Sequence, residues 1–356
     1  MSELTHISAR LALNATDPEI IYSPLMLSSA YPRVQRFMFV LLCCFIGSVL
    51  NGFFIASVVM ADIRRTVGYI HLLIVGMADF MVTFLVMGTS SVILLSNKWD
   101  TPNVCKVLQI IVETALYITN VSFMLFATEL FIWISGSRAC MKVITTRRTK
   151  ILNVASVIVS YILACVGVLY DLDYDYCNRK HFGNITFRIW TATLFYLIPG
   201  TTTFSKLLVG VYQLKYITHT DIRFRRTASY PNMCSYTVLA LIAYLTFALS
   251  WLPYLIYITL EEPSDSHYYY AIWFALLRPV FQSAIYYIGD SYFRNNFIVL
   301  FNYFFRKRPL TVPRNRRRSR GQGRSVQAIE LRRLAAGRGL TPLTRPILEI
   351  TETRSL

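Results

Sequence analysis

The sequence predicts an all-α membrane protein, a seven-transmembrane helix bundle with a short amphipathic eighth helix. Hydrophobic residues make up 54% of the 356-residue chain and charged residues only 15%, and the mean hydropathy is +0.45. This composition has too much apolar surface and too little charge for a soluble domain. Apolar runs long enough to cross a bilayer, about 20 residues each, recur seven times. Basic residues gather in every second loop between these runs.

The seven predicted spans cover residues 37–61, 68–95, 104–134, 151–169, 187–214, 236–260 and 269–289. The third and seventh spans are the weakest predictions, because Glu113 and Glu129 interrupt the third and Arg278 lies near the middle of the seventh. The predicted domains are an N-terminal tail at 1–36, the bundle at 37–290, an amphipathic surface helix at 291–306 and a disordered basic tail at 307–356.

The loops predict the orientation of the chain. Basic clusters follow the first, third, fifth and seventh spans, and the positive-inside rule makes that side cytoplasmic. We therefore expect a multi-pass protein of the plasma membrane with an extracellular N-terminus and a cytoplasmic C-terminus. Glycosylation sequons at Asn14 and Asn184 fall on the outer side. Cys105 and Cys177 also fall there, and the oxidising environment makes them a candidate disulfide.

Polar residues within the spans are the first functional candidates, because an ionisable side chain inside a membrane is costly. The first span carries Asn51 and the second carries Asp79. Asp79 is either a functional carboxylate or a structural hydrogen-bond partner of Asn51. The third span holds Glu113 in its outer half, Thr119 near mid-depth and Glu129 near its cytoplasmic end.

Prolines recur in the later spans. The fourth span has no charged residue and is expected only to pack, whereas the fifth contains Pro199 and the sixth Pro253. A proline within a membrane span bends the helix. Trp251 and Phe247 place two aromatic rings beside the second bend, which predicts a hinge. Packing alone is the alternative, since prolines and aromatic residues are common in such spans.

Arg278 needs a partner or water at its depth in the seventh span. Glu113 and Asp79 are the acids that the sequence places in the outer and middle bundle. We expect Arg278 to pair with one of them; the alternative is a water-filled cavity around an unpaired arginine.

The segment after the seventh span has aromatic residues at helical spacing between positions 293 and 304, flanked by basic residues. This pattern predicts an amphipathic helix on the inner leaflet. The arginine-rich tail that follows is expected to contact membrane lipids. Because the net charge of +17 lies in these cytoplasmic segments, no nucleic-acid partner is expected.

The motifs together resemble the rhodopsin-like (class A) family of G-protein-coupled receptors, over residues 37 to about 304. Phe247, Trp251 and Pro253 are similar to the F-x-x-x-W-x-P switch of that family's sixth helix. The resemblance also implies a disulfide between Cys105 and Cys177. It further covers the family's first-helix asparagine, sodium-binding aspartate, fifth-helix proline and seventh-helix tyrosine at Asn51, Asp79, Pro199 and Tyr287.

The chain departs from the family at its cytoplasmic end. Glu129, Leu130 and Phe131 stand where the family carries a D/E-R-Y/F triplet that faces the transducer, so leucine replaces the arginine. Leu207 replaces the usual fifth-helix tyrosine, and Ser283 replaces the asparagine of the N-P-x-x-Y motif. The polar core implied by the resemblance is Asn51, Asp79, Thr119 and Ser283, a poor set for sodium.

The resemblance implies a ligand pocket in the outer half of the bundle. Val112 stands where amine receptors have an aspartate, so a monoamine is not expected. An acidic, tyrosine-rich rim favours a cationic peptide, although acidic outer loops also follow from topology alone. The implied pocket residues are Val112, Glu113, Leu116, Tyr117, Tyr254, Tyr257, Trp273, Leu277 and Arg278.

Two functions follow as expectations. The first is a cell-surface receptor that passes an extracellular signal to a heterotrimeric G protein, arrestin or both. The alternative is an atypical receptor that does not couple, such as a decoy, a scaffold or a heteromer partner, because Leu130 replaces the arginine. A transporter would show internal repeats or paired broken helices, which the sequence lacks. We expect no enzyme activity, no cofactor and no metal site.

Overall fold

The computed structural model describes residues 31–60, 68–96, 101–135, 146–170, 172, 185–220, 229–259 and 265–307. Within these residues the chain forms helices and no strand. Seven of the helices are long and apolar enough to cross a membrane, which confirms the predicted all-α bundle of seven spans. The first helix begins at Arg33, so its start lies inside the predicted N-terminal tail.

We number the helices α1 to α8 in chain order. Their bounds are α1 Arg33–Met60, α2 Tyr69–Met81 continuing through a π-helical turn Val82–Val86 into Met87–Ser96, α3 Pro102–Ser135, α4 Thr146–Leu169, α5 Ile185–Ala192 continuing through a π-helical turn Thr193–Leu197 into Ile198–Thr220, α6 Ser229–Thr259, α7 Asp265–Gly289 and α8 Ser291–Arg306. Helices α1 to α7 are the seven spans. Gly68 precedes α2 with φ 77°, a left-handed conformation that favours glycine.

Helix α3 is the centre of the bundle. Its residues 112–120 are all buried, and it packs against α2, α4 and α5. Helix α4 lies at the periphery, where Val154, Ile158 and Ile162 are about half exposed (59%, 51% and 52%). A helix with a continuous exposed apolar face is typical of a span that contacts lipid. The burial pattern therefore separates a buried α3 from a lipid-facing α4.

The π-helical turn in α5 and Pro199 are stabilised together from α3. Proline has no N–H, so the carbonyl four residues earlier, that of Phe195, has no donor within the helix. Asn120 of α3 donates its Nδ2 to this carbonyl oxygen at 2.6 Å. The bend in α5 is therefore joined to the centre of the bundle by a side chain that replaces the missing backbone donor.

Helix α8 begins at a side-chain cap and packs against α1. Asp290 Oδ1 accepts a hydrogen bond from the Tyr292 backbone N–H at 2.7 Å, a typical N-cap. The Phe297 ring lies 5.5 Å from the Phe53 ring of α1 and 4.8 Å from the Tyr287 ring of α7. These contacts fix the helix against α1 and α7; its position on a membrane surface stays a prediction.

Candidate functional site

A buried ion pair joins α2 and α7 in the middle of the bundle. Arg278 donates both terminal nitrogens to the Asp79 carboxylate, with Nη1 3.2 Å from Oδ2 and Nη2 bonded to Oδ1. The two side chains are only 2% and 1% exposed. The expected pairing of Arg278 with an intramembrane acid is thus confirmed, with Asp79 as its partner rather than Glu113.

The ion pair also contacts the predicted hinge. The Arg278 guanidinium carbon lies 5.1 Å from the centre of the Phe247 ring of α6, within the range of a cation–π interaction. Phe247 in turn packs against Phe123 of α3, with ring centres 5.6 Å apart. The Arg278 charge on α7 is therefore packed against the Phe247 ring, six residues before Pro253.

Asn51 joins α1 to α7 instead of bonding Asp79. Its Nδ2 donates to the Pro279 carbonyl oxygen at 2.9 Å, and its Oδ1 accepts from the Ser283 hydroxyl. Tyr287 makes a second joint between the same helices by donating to the Leu50 carbonyl at 2.8 Å. The structure therefore gives Asn51 and Asp79 separate roles.

A cavity of about 550 Å³ lies between α3, α5 and α6. Of the predicted pocket residues, Glu113 and Tyr117 line it, as do the switch residues Phe247 and Trp251. Glu113 Oε1 accepts a hydrogen bond from the Tyr254 hydroxyl at 2.9 Å, and the Tyr254 ring lies edge-on to Trp251 at 5.5 Å. The cavity, its carboxylate and the predicted hinge are thus in contact.

The predicted pocket is not a single space. Trp273 and Leu277 line a second cavity of about 750 Å³ between α1, α6 and α7, together with Pro253. Val112 and Leu116 are each 1% exposed and belong to the hydrophobic core; neither lines either cavity. Neighbouring residues on a helix point in directions about 100° apart, so Val112 and Leu116 face a different interhelical space from Glu113 and Tyr117.

The start of α2, the end of α3 and the start of α4 form a histidine cluster that the sequence interpretation missed. His71 of α2 lies with Nε2 3.0 Å from Glu129 Oε2 and with Nδ1 3.0 Å from Asn153 Oδ1. Helix α4 was expected only to pack, so the bond from Asn153 corrects that expectation. Leu130, next to Glu129, is 3% exposed within the hydrophobic core. The available signal was a histidine and an asparagine, each near the start of an apolar run.

The structure also places Phe131 of the predicted triplet and Leu207 of the fifth helix. Phe131 lies under the Lys206 ammonium of α5, with Nζ 4.9 Å from the ring centre. Leu207, at the usual tyrosine position, is 1% exposed in the core. Thr119 is fully buried, and its Oγ1 makes no hydrogen bond within the described ranges. It therefore does not extend the polar core that the resemblance implies.

No protein-family model matches the sequence, and no curated protein is significantly similar to it. Cys105 is buried at the outer start of α3. Its expected partner Cys177 and the sequons at Asn14 and Asn184 lie outside the described residues, as does the side chain of Tyr257. The disulfide and the glycosylation sites stay predictions.

Proposed function

We propose that this chain is a cell-surface seven-transmembrane receptor of the class A type, with a ligand site between α3, α5 and α6. The observation that supports this most directly is that Phe247 and Trp251 of α6 line the cavity. Both residues lie just before Pro253, where the hinge is predicted. A ligand there contacts the hinge itself. It favours whichever hinge position it binds more tightly, which is a shift of population between two states.

The proposed signal reaches the rest of the bundle through two contacts of the hinge helix. Phe247 packs on Arg278 of the ion pair, and Trp251 packs on Tyr254, which is bonded to Glu113. A change in the angle of α6 alters both contacts. The ion pair then transmits the change to α7 and α2, whose cytoplasmic ends lie beside the proposed transducer surface.

The proposal includes the location and partners of the protein. The receptor lies in the plasma membrane with its N-terminus outside, a disulfide from Cys105 to Cys177 and glycans at Asn14 and Asn184. Its basic cytoplasmic segments contact a heterotrimeric G protein, arrestin or both, together with membrane lipids. Its ligand is not a monoamine, because the Glu113 carboxylate in the cavity already accepts a hydrogen bond from Tyr254 and is balanced by Arg188 in the same lining.

A non-coupling receptor is the second candidate. The observation that favours it is that the triplet has no arginine: Leu130 is buried in the core, and Glu129 is bonded to His71 within the bundle. A receptor of this type binds its ligand without activating a G protein. It then acts as a decoy, a scaffold or a heteromer partner.

Signalling in cells distinguishes the two candidates. Wild type, Leu130→Arg and Trp251→Ala are expressed to equal surface levels, and ligand-independent G-protein activation and arrestin recruitment are measured. Clear wild-type signalling that Trp251→Ala lowers supports the receptor with coupling. Signalling that occurs only with Leu130→Arg supports the non-coupling receptor. If none of the three proteins activates a G protein or recruits arrestin, the result contradicts a role for the triplet and the hinge in coupling.

A further inference from the structure

The cavity between α3, α5 and α6 reaches the lipid-facing surface. Four of its lining residues, all apolar, have large exposed fractions: Ile185 60%, Ile189 59%, Leu197 60% and Leu252 49%. Exposed apolar side chains on a membrane span contact acyl chains. One side of the cavity therefore faces the bilayer between α5 and α6, and a molecule dissolved in the membrane meets it directly.

The inner side of the cavity has two buried polar atoms without partners. Asn120 and Trp251 line the cavity and are each 3% exposed. Asn120 Oδ1 and Trp251 Nε1 make no hydrogen bond in the described part of the chain. The amide of Asn120 is oriented by its bond to the Phe195 carbonyl, so its free atom is an acceptor. The indole N–H is a donor.

Unpaired polar atoms of this kind are rare in folded proteins. Each costs about 1–3 kcal/mol when it is buried without a hydrogen bond. A single hydroxyl or amide group both donates and accepts, so a head group of this kind offers a donor to Asn120 Oδ1 and an acceptor to Trp251 Nε1. A carboxylate only accepts and an ammonium only donates, and neither satisfies both.

The charges of the lining also favour an uncharged ligand. The charged residues among the lining set are one acid, Glu113, and one base, Arg188, so their formal charges cancel. Glu113 already accepts a hydrogen bond from Tyr254. A charged ligand group would add a net charge to a lining whose own charges cancel, and burying that charge in an apolar space is costly.

We infer that the ligand of this site is a neutral amphiphile, an apolar molecule with a hydroxyl or amide head group, which enters from the bilayer between α5 and α6. The inference rests on the proposed function, because it names the ligand class of the same site. The apolar body lies against the exposed residues of α5 and α6, and the head group lies between Asn120 and Trp251.

Quenching of tryptophan fluorescence tests this inference. The full chain is placed in lipid nanodiscs that contain one of four probes with the same dibrominated octadecyl chain and an alcohol, amide, carboxylate or amine head group. The contribution of Trp251 is the difference between wild type and Trp251→Phe. We expect the alcohol and the amide to quench it at about fivefold lower mole fraction, the ratio that corresponds to one net hydrogen bond.

Two matched variants show where the probe binds. Ala248→Phe fills the cavity, because Ala248 lines it, and should abolish the selective quenching. Leu249→Phe adds the same ring at the next residue, which is 60% exposed and lines neither cavity, and should leave the quenching unchanged. Asn120→Leu keeps about the size of the side chain but removes the acceptor Oδ1, and it should abolish the preference for the alcohol and the amide.

The outcomes that overturn the inference are distinct. Equal quenching by all four probes, unchanged in Ala248→Phe, means that only surrounding lipid is detected. Preference for the carboxylate or the amine contradicts a neutral head group. Signalling in response to a water-soluble ligand, without selective quenching of Trp251, overturns the ligand class and leaves the proposed receptor function intact. Selective quenching without any signalling supports the ligand class and the non-coupling receptor.

Discussion

The middle of the bundle and the histidine cluster each hold a carboxylate inside a span, and the two carboxylates differ in burial and in partner. Asp79 is 1% exposed at its side chain and pairs with Arg278, which is always charged. Glu129 is 21% exposed at its side chain and pairs with His71. The deep carboxylate therefore has a permanent cation as its partner, whereas the more exposed one has a histidine.

The hydrogen bonds of the histidine cluster join three helices. Asn153 donates its Nδ2 to the Thr149 carbonyl at 2.7 Å, and its Oδ1 lies 3.0 Å from His71 Nδ1. The other ring nitrogen of His71 lies 3.0 Å from Glu129 Oε2. His71 therefore joins α2 to both α3 and α4, whereas the deep pair joins α2 to α7.

The largest effect should come from breaking the deep pair. Asp79→Ala or Arg278→Ala leaves an unpaired charge where no water reaches it, and we expect a loss of about 3–5 kcal/mol in the free energy of unfolding. Thermal unfolding of the purified protein and labelling at the cell surface measure this loss. The exchange of Asp79→Arg with Arg278→Asp in one chain should recover much of it.

An apolar replacement is the control for that pair. Because the desolvation of two charges offsets their attraction, Asp79→Leu combined with Arg278→Met should lie closer to wild type than either single alanine variant. A double variant that is as unstable as the sum of the singles would show that the two side chains act independently.

The pair in the histidine cluster should give a smaller effect. His71→Gln removes the contact with the Glu129 carboxylate, at a cost of about 1.5–3 kcal/mol. Thermal unfolding measures this loss, and Glu129→Gln, which removes the charge from the same contact, should give a loss of similar size.

The hydrogen bond from Asn120 to the Phe195 carbonyl has no charged partner. It therefore tests whether charge explains the difference between these regions. Asn120→Leu leaves the Phe195 carbonyl without a donor, and we expect a loss of about 1–3 kcal/mol. Pro199→Ala returns a backbone N–H to α5 and should make Asn120 less important. The two changes combined should therefore cost less than their sum in thermal unfolding. Full additivity would mean that Asn120 does not act through the proline bend.

The fold was predictable because each span is a local property of the chain. An apolar run of about 20 residues identifies a span without knowledge of its neighbours, and all seven runs became helices of the bundle. The partner of Arg278 was nearly predictable for a related reason. So few acids lie in the outer and middle bundle that the choice was between Asp79 and Glu113.

The cavities and the histidine cluster depend instead on how helices are rotated against each other. Trp273 faces α1, with its ring 5.7 Å from that of Phe39, whereas Tyr117 faces α5, with its ring 4.6 Å from that of Phe195. A single sequence does not give these rotations, so one predicted pocket became two. His71 and Asn153 lie 82 positions apart, and neither indicates the other in the sequence.

The smallest effect should come from replacing Lys206 of α5, which lies over the Phe131 ring. Its ammonium lies 4.9 Å from the centre of the Phe131 ring, and both side chains are partly exposed. A cation–π contact at such a position contributes about 0.5–1 kcal/mol, so Lys206→Met should lower the unfolding temperature slightly and Lys206→Arg should retain it. A loss in Lys206→Arg as large as that in Lys206→Met would mean that the charge above the Phe131 ring does not contribute to stability.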